Sequence, residues 1–213
     1  MKLNIWRRIV YRTANTSVYA LACLVFRLKV SGRETFPKQG GVLIACNHTS
    51  YLDAPVVHSS IPRRMVHSMA KKRLFKHPFL NWFMTTVGTI CVDETRPRRT
   101  ITEAVMALAA GDCVVIFPEG TRSKDGVLKE GGWGAASIAI SSNCTIVPAA
   151  IIGSDKAFPK EGKGITPVPI EIRFGKPYTI PLPIDLSREN LTRQKQRLME
   201  EIKVLLPEYM RPR

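Results

Sequence analysis

Three short apolar runs, 41–46 (GVLIAC), 113–117 (CVVIF) and 145–152 (TIVPAAII), constrain the fold of this chain most strongly. Each has the length and composition of a buried strand, and the first is preceded by Gly-Gly. Further strands are expected at 65–70, 88–93 and 168–174, the last alternating like a half-buried strand. Between them lie segments of helical spacing: 77–86, 100–110 with Gly111 as its stop, 133–140 built of small residues, and 190–206. Strands alternating with helices predict an α/β fold, a mixed and mostly parallel central sheet flanked by helices. Prolines at 167, 169, 177, 181 and 183 predict irregular, edge-like structure late in the chain.

A chain of 213 residues fits one domain with a real core. Its formal net charge of +15 attracts polyanions: nucleic acid, an anionic membrane surface, or an acidic substrate or carrier. Five cysteines without CxxC spacing favour a reducing compartment over a disulfide framework. The apolar stretch 18–26 is shorter than the roughly 20 residues a spanning helix needs. Residues 1–30 are therefore expected to lie against the membrane, with Trp6 and Tyr11 near the headgroups and Arg7, Arg8 and Arg12 toward anionic lipid. An ordinary helix packed on the domain is the alternative. The second unit is 31–213.

The run 41–46 ends in Asn47-His48-Thr49-Ser50-Tyr51-Leu52-Asp53. In one regular helix five steps of about 100° would set His48 and Asp53 roughly 140° apart. They meet if His48 sits in a strand-to-helix loop and Asp53 in the opening turn, with Ser50 and Asp53 as a capping-box pattern. Asp53 then fixes the imidazole tautomer and frees the other ring nitrogen to take a proton. No GxSxG motif and no cysteine–histidine pairing supplies a protein nucleophile, so the pair suits a substrate that brings its own hydroxyl. An isolated His-x4-Asp also arises by chance, and spacing alone leaves both readings open. No metal-ligand pattern is present in the sequence.

The run 113–117 leads into Pro118-Glu119-Gly120-Thr121-Arg122-Ser123. Chain leaving the carboxyl end of such a strand lines the ligand crevice of α/β sheets. Gly120 permits close backbone approach, Thr121 adds a hydroxyl, and Arg122 offers a planar fork for phosphate. Glu119 is suited to a substrate hydroxyl or to holding Arg122; a solvated turn is the plain alternative. Lys71-Lys72-Arg73 and the group Arg96, Arg98 and Arg99 add cationic points.

In this order the stretches resemble the 1-acyl-glycerol-3-phosphate acyltransferase family, over about residues 28–180. NHTSYLD is similar to its NHx4D motif, AKKRLFKHPFLNWF (70–83) to its basic-apolar segment, FPEGTRS (117–123) to its third block and IVPAAI (146–151) to its fourth. One block departs: GTICVDE (88–94) has Glu94 where the family pattern has arginine, and Arg96 follows two residues on. The resemblance implies an acyltransferase domain at 31–213 with His48 and Asp53 catalytic. His48 would deprotonate the sn-2 hydroxyl of lysophosphatidate, and the alkoxide would attack the thioester of acyl-CoA or acyl carrier protein. Phosphatidate is the product. Lys72, Arg96, Glu119, Gly120, Thr121 and Arg122 would bind substrate, with backbone N–H groups on the oxyanion. No metal, cofactor or covalent acyl-enzyme is implied, and the expected place is the cytoplasmic face of the inner (plasma) membrane.

Another acceptor is the close alternative: a different lysophospholipid, glycerol 3-phosphate or an amino-acid lipid. A binding-only basic module is the remote one; the sequence shows no zinc finger, RNP-like stretch or recognition helix, so nucleic acid is not expected. The apolar residues Phe75, Phe79, Trp82 and Phe83 fit an acyl groove, a lipid-facing surface or plain core.

Overall fold

The computed structural model describes residues 5–61, 64–159, 161–162 and 164–212, without the side chains of Arg7 and Arg8. The expectation that Arg7 and Arg8 face lipid therefore falls outside the described residues. The chain runs α1 (Ile5–Phe26), β1 (Lys29–Ser31), β2 (Val42–Cys46), α2 (Asp53–Ser60), β3 (Val66–Lys71) and α3 (Pro78–Thr86). It continues β4 (Ile90–Val92), α4 (Pro97–Ala109), β5 (Cys113–Ile116), α5 (Trp133–Ser142), β6 (Thr145–Ile152), α6 (Ser154–Ala157), β7 (Glu171–Phe174) and α7 (Arg188–Leu205).

All strands join one sheet in the order β1-β7-β6-β2-β5-β3-β4. β6, β2, β5, β3 and β4 run parallel; β7 is antiparallel to β6 and parallel to β1. Successive strand residues point to opposite faces, and each face carries its own core. Leu43, Ala45, Val114 and Ile116 meet Ala104 and Leu108 of α4, Ile138 of α5 and Leu198 and Ile202 of α7. Val42, Ile44, Cys113 and Val115 meet Ala22 and Phe26 of α1 and Val56 and Val57 of α2. Burial on both sides is why the central runs are unbroken apolar sequence, each fully buried Val, Leu or Ile contributing about 1.5–3 kcal/mol.

Local chemistry sets the boundaries. α4 begins at Pro97, ahead of the expected 100–110, because proline at the first helical position loses no hydrogen bond and has a helical φ already. Ser187 caps α7, its side chain accepting from the N–H of Asn190 at 3.3 Å. β7 starts only at Glu171, after Pro169, which has no N–H for a ladder. It is not an edge, contrary to the proline-based expectation: β1 covers it by pairing Lys29–Ser31 with Glu171–Arg173. The chain thus enters the sheet at residue 29, across the boundary drawn at 30/31.

The N-terminal helix differs most from its expectation. It is 22 residues long, and its window Ile9–Phe26 is long and apolar enough to cross a membrane by length and composition. Tyr11, expected at the headgroups, is buried at 5% exposure. Its hydroxyl donates to the carbonyl of Arg64 (3.2 Å) and accepts from the N–H of Val66 (3.1 Å). Asn15 bridges from Tyr11 to the ring of His58 in α2. These polar contacts, with Ala22 and Phe26 in the core, hold α1 along the domain.

Candidate active site

The chain leaving β2 runs through α2 to β3, on one side of β2, while the chain leaving β5 runs through α5 to β6, on the other. The two connections pass over opposite faces of the sheet, α2 with Val56 and Val57 on one and α5 with Ile138 on the other, and such a pair from adjacent parallel strands leaves a crevice at their carboxyl ends. Both sequence stretches of interest open there.

Asn47 terminates β2. Its side-chain amide donates to the carbonyl of Ile151 (2.9 Å) and accepts from the same residue's N–H (2.8 Å), carrying the β2–β6 pairing one step on. Sequence reasoning missed this residue; the available signal was an amide directly after five fully buried apolar positions.

His48 follows, its Nδ1 2.8 Å from Oδ2 of Asp53. The same oxygen accepts from the N–H groups of Thr49 (2.6 Å) and Ser50 (2.8 Å). An oxygen that already accepts from two N–H groups leaves Nδ1 to bring the proton, so the lone pair resides on Nε2. Asp53 is completely buried, whereas the His48 side chain keeps 19% exposure, and Nε2 has no partner among the described residues. Phe117 stacks on the imidazole at 4.1 Å, 18° from parallel, and shields one face from water. The capping box expected at 50–53 does not form as such: α2 starts at Asp53 with Leu52 as its N-cap and no side-chain cap bond, while Ser50 Oγ accepts from the N–H of Leu52 and Asp53 accepts from the N–H of Ser50.

The second stretch closes on the first. The N–H of Gly120 donates to the carbonyl of Phe117, and Gly120 has φ +66°, a conformation costly to any residue with a Cβ. Glu119 turns inward: Oε1 accepts from the N–H of His48 (2.7 Å) and Oε2 from that of Lys129 (3.1 Å). Burial pushes its carboxyl up to about 7 against the opposing pull of these two N–H groups. Ser123, 2% exposed, donates its N–H to the carbonyl of His48 at 2.7 Å. Arg122 lies with Cζ 3.4 Å from the centre of the Tyr51 ring, placing a guanidinium on the His48 turn. Gly120 and Thr121 are exposed beside it.

Lys72 and Arg96 stand apart. Lys72 follows β3 and Arg96 follows β4, at the same end of the sheet but two and three strand spacings, about 10 and about 14 Å, from the His48 strand. Lys72 pairs with Asp93 and Lys71 with Glu94, each at 2.8 Å, and these partners hold both carboxyls below the usual range. The departure at Glu94 thus gives Lys71 a partner. Arg96 is exposed.

No serine, threonine or cysteine side chain bonds to His48 among the described residues. Cys46 is fully buried, faces the Asn47 amide, and burial pushes its thiol well up, away from the reactive thiolate. The arrangement sets an imidazole with an open Nε2 beside a cation, with no nucleophilic side chain bonded to it among the described residues.

A family model described as Acyltransferase matches residues 27–152, more than half of the chain, and so places it among the acyltransferases. The chain is 32% identical over 158 residues to the 1-acyl-sn-glycerol-3-phosphate acyltransferase of Bacillus subtilis (strain 168), covering 72% of this chain and 78% of that protein. It is 32% identical over 154 residues to the enzyme of the same description from Limnanthes douglasii, spanning only 54% of that relative's length. The crystal structure of the 1-acyl-sn-glycerophosphate (LPA) acyltransferase PlsC from Thermotoga maritima superposes with a TM-score of 0.76 at 25% identity, over 95% of this chain and 83% of that one. The chain belongs to the 1-acyl-sn-glycerol-3-phosphate acyltransferase family.

Proposed function

We propose that the protein transfers a fatty acyl group from an acyl thioester, acyl-CoA or acyl carrier protein, to the sn-2 hydroxyl of 1-acyl-glycerol-3-phosphate. The observation carrying this reading is the His48–Asp53 pair, with Nε2 unengaged and Arg122 seated on the same turn. Nε2 takes the proton of the acceptor hydroxyl as its oxygen attacks the thioester carbonyl. The C–S bond breaks, the sulfur leaves, and the imidazolium returns the proton to it, while Asp53 stabilises the charged ring in between. The N–H groups of His48, Thr49 and Ser50 already donate to carboxylates, so the oxyanion takes its donors from elsewhere. Arg122 binds the phosphate; Lys72 joins it by exchanging Asp93 for the ligand.

The reading extends to an anionic membrane surface. α1 exposes Ile5, Trp6, Ile9, Leu21 and Leu24, and α3, which it touches, exposes Phe79 (64%), Trp82 (59%) and Phe83 (38%). No residue of α3 is buried, so core packing is not its role. Two apolar helix faces beside Lys71, Lys72, Arg73 and Lys76 suit an interface of acyl chains and anionic headgroups.

The deciding experiment is a panel of acceptors with one labelled acyl thioester. Turnover of lysophosphatidate, abolished in His48→Ala, is the expected result. Inactivity on lysophosphatidate beside turnover of another lyso-lipid rejects the acceptor assignment.

A further inference from the structure

Tyr51 has no part in the proton transfer, yet its side chain is 52% exposed in a turn whose Thr49, Ser50 and Asp53 are buried. One face of its ring carries Arg122, and Phe158 lies near it with ring centres 6.2 Å apart. At 3.4 Å from Cζ to the ring centre, only a guanidinium lying flat on the ring avoids atomic overlap. A flat guanidinium has its N–H groups in the plane, directed past the rim of the ring and not into it. Arg122 is thus tied at both ends: its neighbour Ser123 is bonded to the carbonyl of His48, and its head rests on a ring three residues from His48.

We infer that Tyr51 is the positioning residue for the phosphate of the acceptor. It holds Arg122 flat beside His48, so that the plane of the guanidinium is fixed for the phosphate to approach edge-on. The inference rests on the acceptor reading above. An arginine without such a support loses rotamer freedom when the ligand arrives, and affinity falls accordingly. The ring acts on ground-state binding of the headgroup, so its loss moves KM and not kcat.

The test compares Tyr51→Leu, Tyr51→Phe and Tyr51→Trp, with KM and kcat measured separately for acceptor and donor. Tyr51→Leu raises the acceptor KM roughly two- to fivefold, the range of an exposed cation–π contact, with kcat and donor KM within twofold. Tyr51→Phe and Tyr51→Trp restore the wild-type KM, because the aromatic face and not the hydroxyl supports the cation. In an Arg122→Lys background, which lacks the planar fork, Tyr51→Leu changes KM less than twofold. Lysophosphatidate binding to His48→Ala, with and without Tyr51→Leu, gives the same ratio without turnover. Unchanged acceptor KM in Tyr51→Leu overturns the inference, as does a fall in kcat alone. A loss of vesicle binding that accounts for the KM change overturns it too, making Tyr51 a lipid contact. Wild-type protein inactive on every phosphomonoester acceptor rejects the acceptor reading itself; active wild type with an indifferent Tyr51→Leu rejects only the role of Tyr51.

Discussion

The two halves of the carboxyl end of the sheet are built differently. Around β2 and β5, Asp53 binds the backbone of its own turn, while Glu119, Asn47 and Ser123 bind backbone groups of the opposite stretch or the next strand, and most are buried. Around β3 and β4, Lys71 and Lys72 pair with Glu94 and Asp93 as surface ion pairs, with Asp93 held in addition by Thr95 next to it, beside a helix that buries nothing. Buried charge-assisted bonds fix atoms to fractions of an ångström, whereas exposed pairs contribute little and exchange partners freely. Chemistry that needs a proton moved along one line belongs to the first region. Binding a mobile lipid at a bilayer suits the second.

The sharpest break of this contrast is His48→Ala. Turnover is expected to fall by about 10²–10⁴-fold, measured as kcat with the circular dichroism spectrum unchanged. Asp53→Asn is next. It sets a side-chain amide against N–H donors at a fully buried position, so kcat falls on the order of 10²-fold or more and the melting temperature drops by several degrees. Arg122→Ala is expected to raise the acceptor KM about tenfold or more with kcat nearly kept; equal KM values in mutant and wild type would remove Arg122 from the headgroup.

A smaller effect separates two buried groups by pH. The carboxyl of Glu119, raised to about 7, binds protons more tightly folded than unfolded, so stability falls as pH rises from about 4.5 to about 7. The ring of His58, lowered to about 4 by burial, binds protons less tightly folded, so stability rises from about pH 4 to about 6.5. The slopes oppose each other. Glu119→Gln should leave stability rising with pH across this window, and His58→Asn should leave it falling, both read from melting temperatures at pH 5 and pH 7. Identical profiles in the two variants would refute the assignment. Smallest of all, Lys72→Ala should leave the melting temperature within error and raise the acceptor KM less than Arg122→Ala does; a larger rise would reverse the ranking of the two regions.

Much of this was legible in the chain. The runs at 41–46, 113–117 and 145–152 announce strands because burial on two faces removes every polar residue from them. His48, Asp53 and Arg122 stand out because each is a chemical group placed just past such a run. Tyr11 was misjudged: an aromatic beside arginines has the composition of an interfacial anchor, and only the Arg64 and Val66 backbone reveals it as a buried hydrogen-bonding residue. Glu119 was suited by sequence to a substrate hydroxyl or to Arg122; nothing local shows that both of its oxygens are occupied by N–H groups, one of them 71 residues away.

Sequence by itself determined the secondary structure of the central sheet, the location of the two functional stretches, and the chemical types they carry. Those are written in periodicity and in residue identity over a few neighbouring positions. Tertiary structure alone decided which stretches meet, which oxygen serves which donor, and how far burial raises Glu119. These depend on β2 lying beside β5 and β6, strands distant in the chain, and hydrogen-bond direction and desolvation follow from that adjacency.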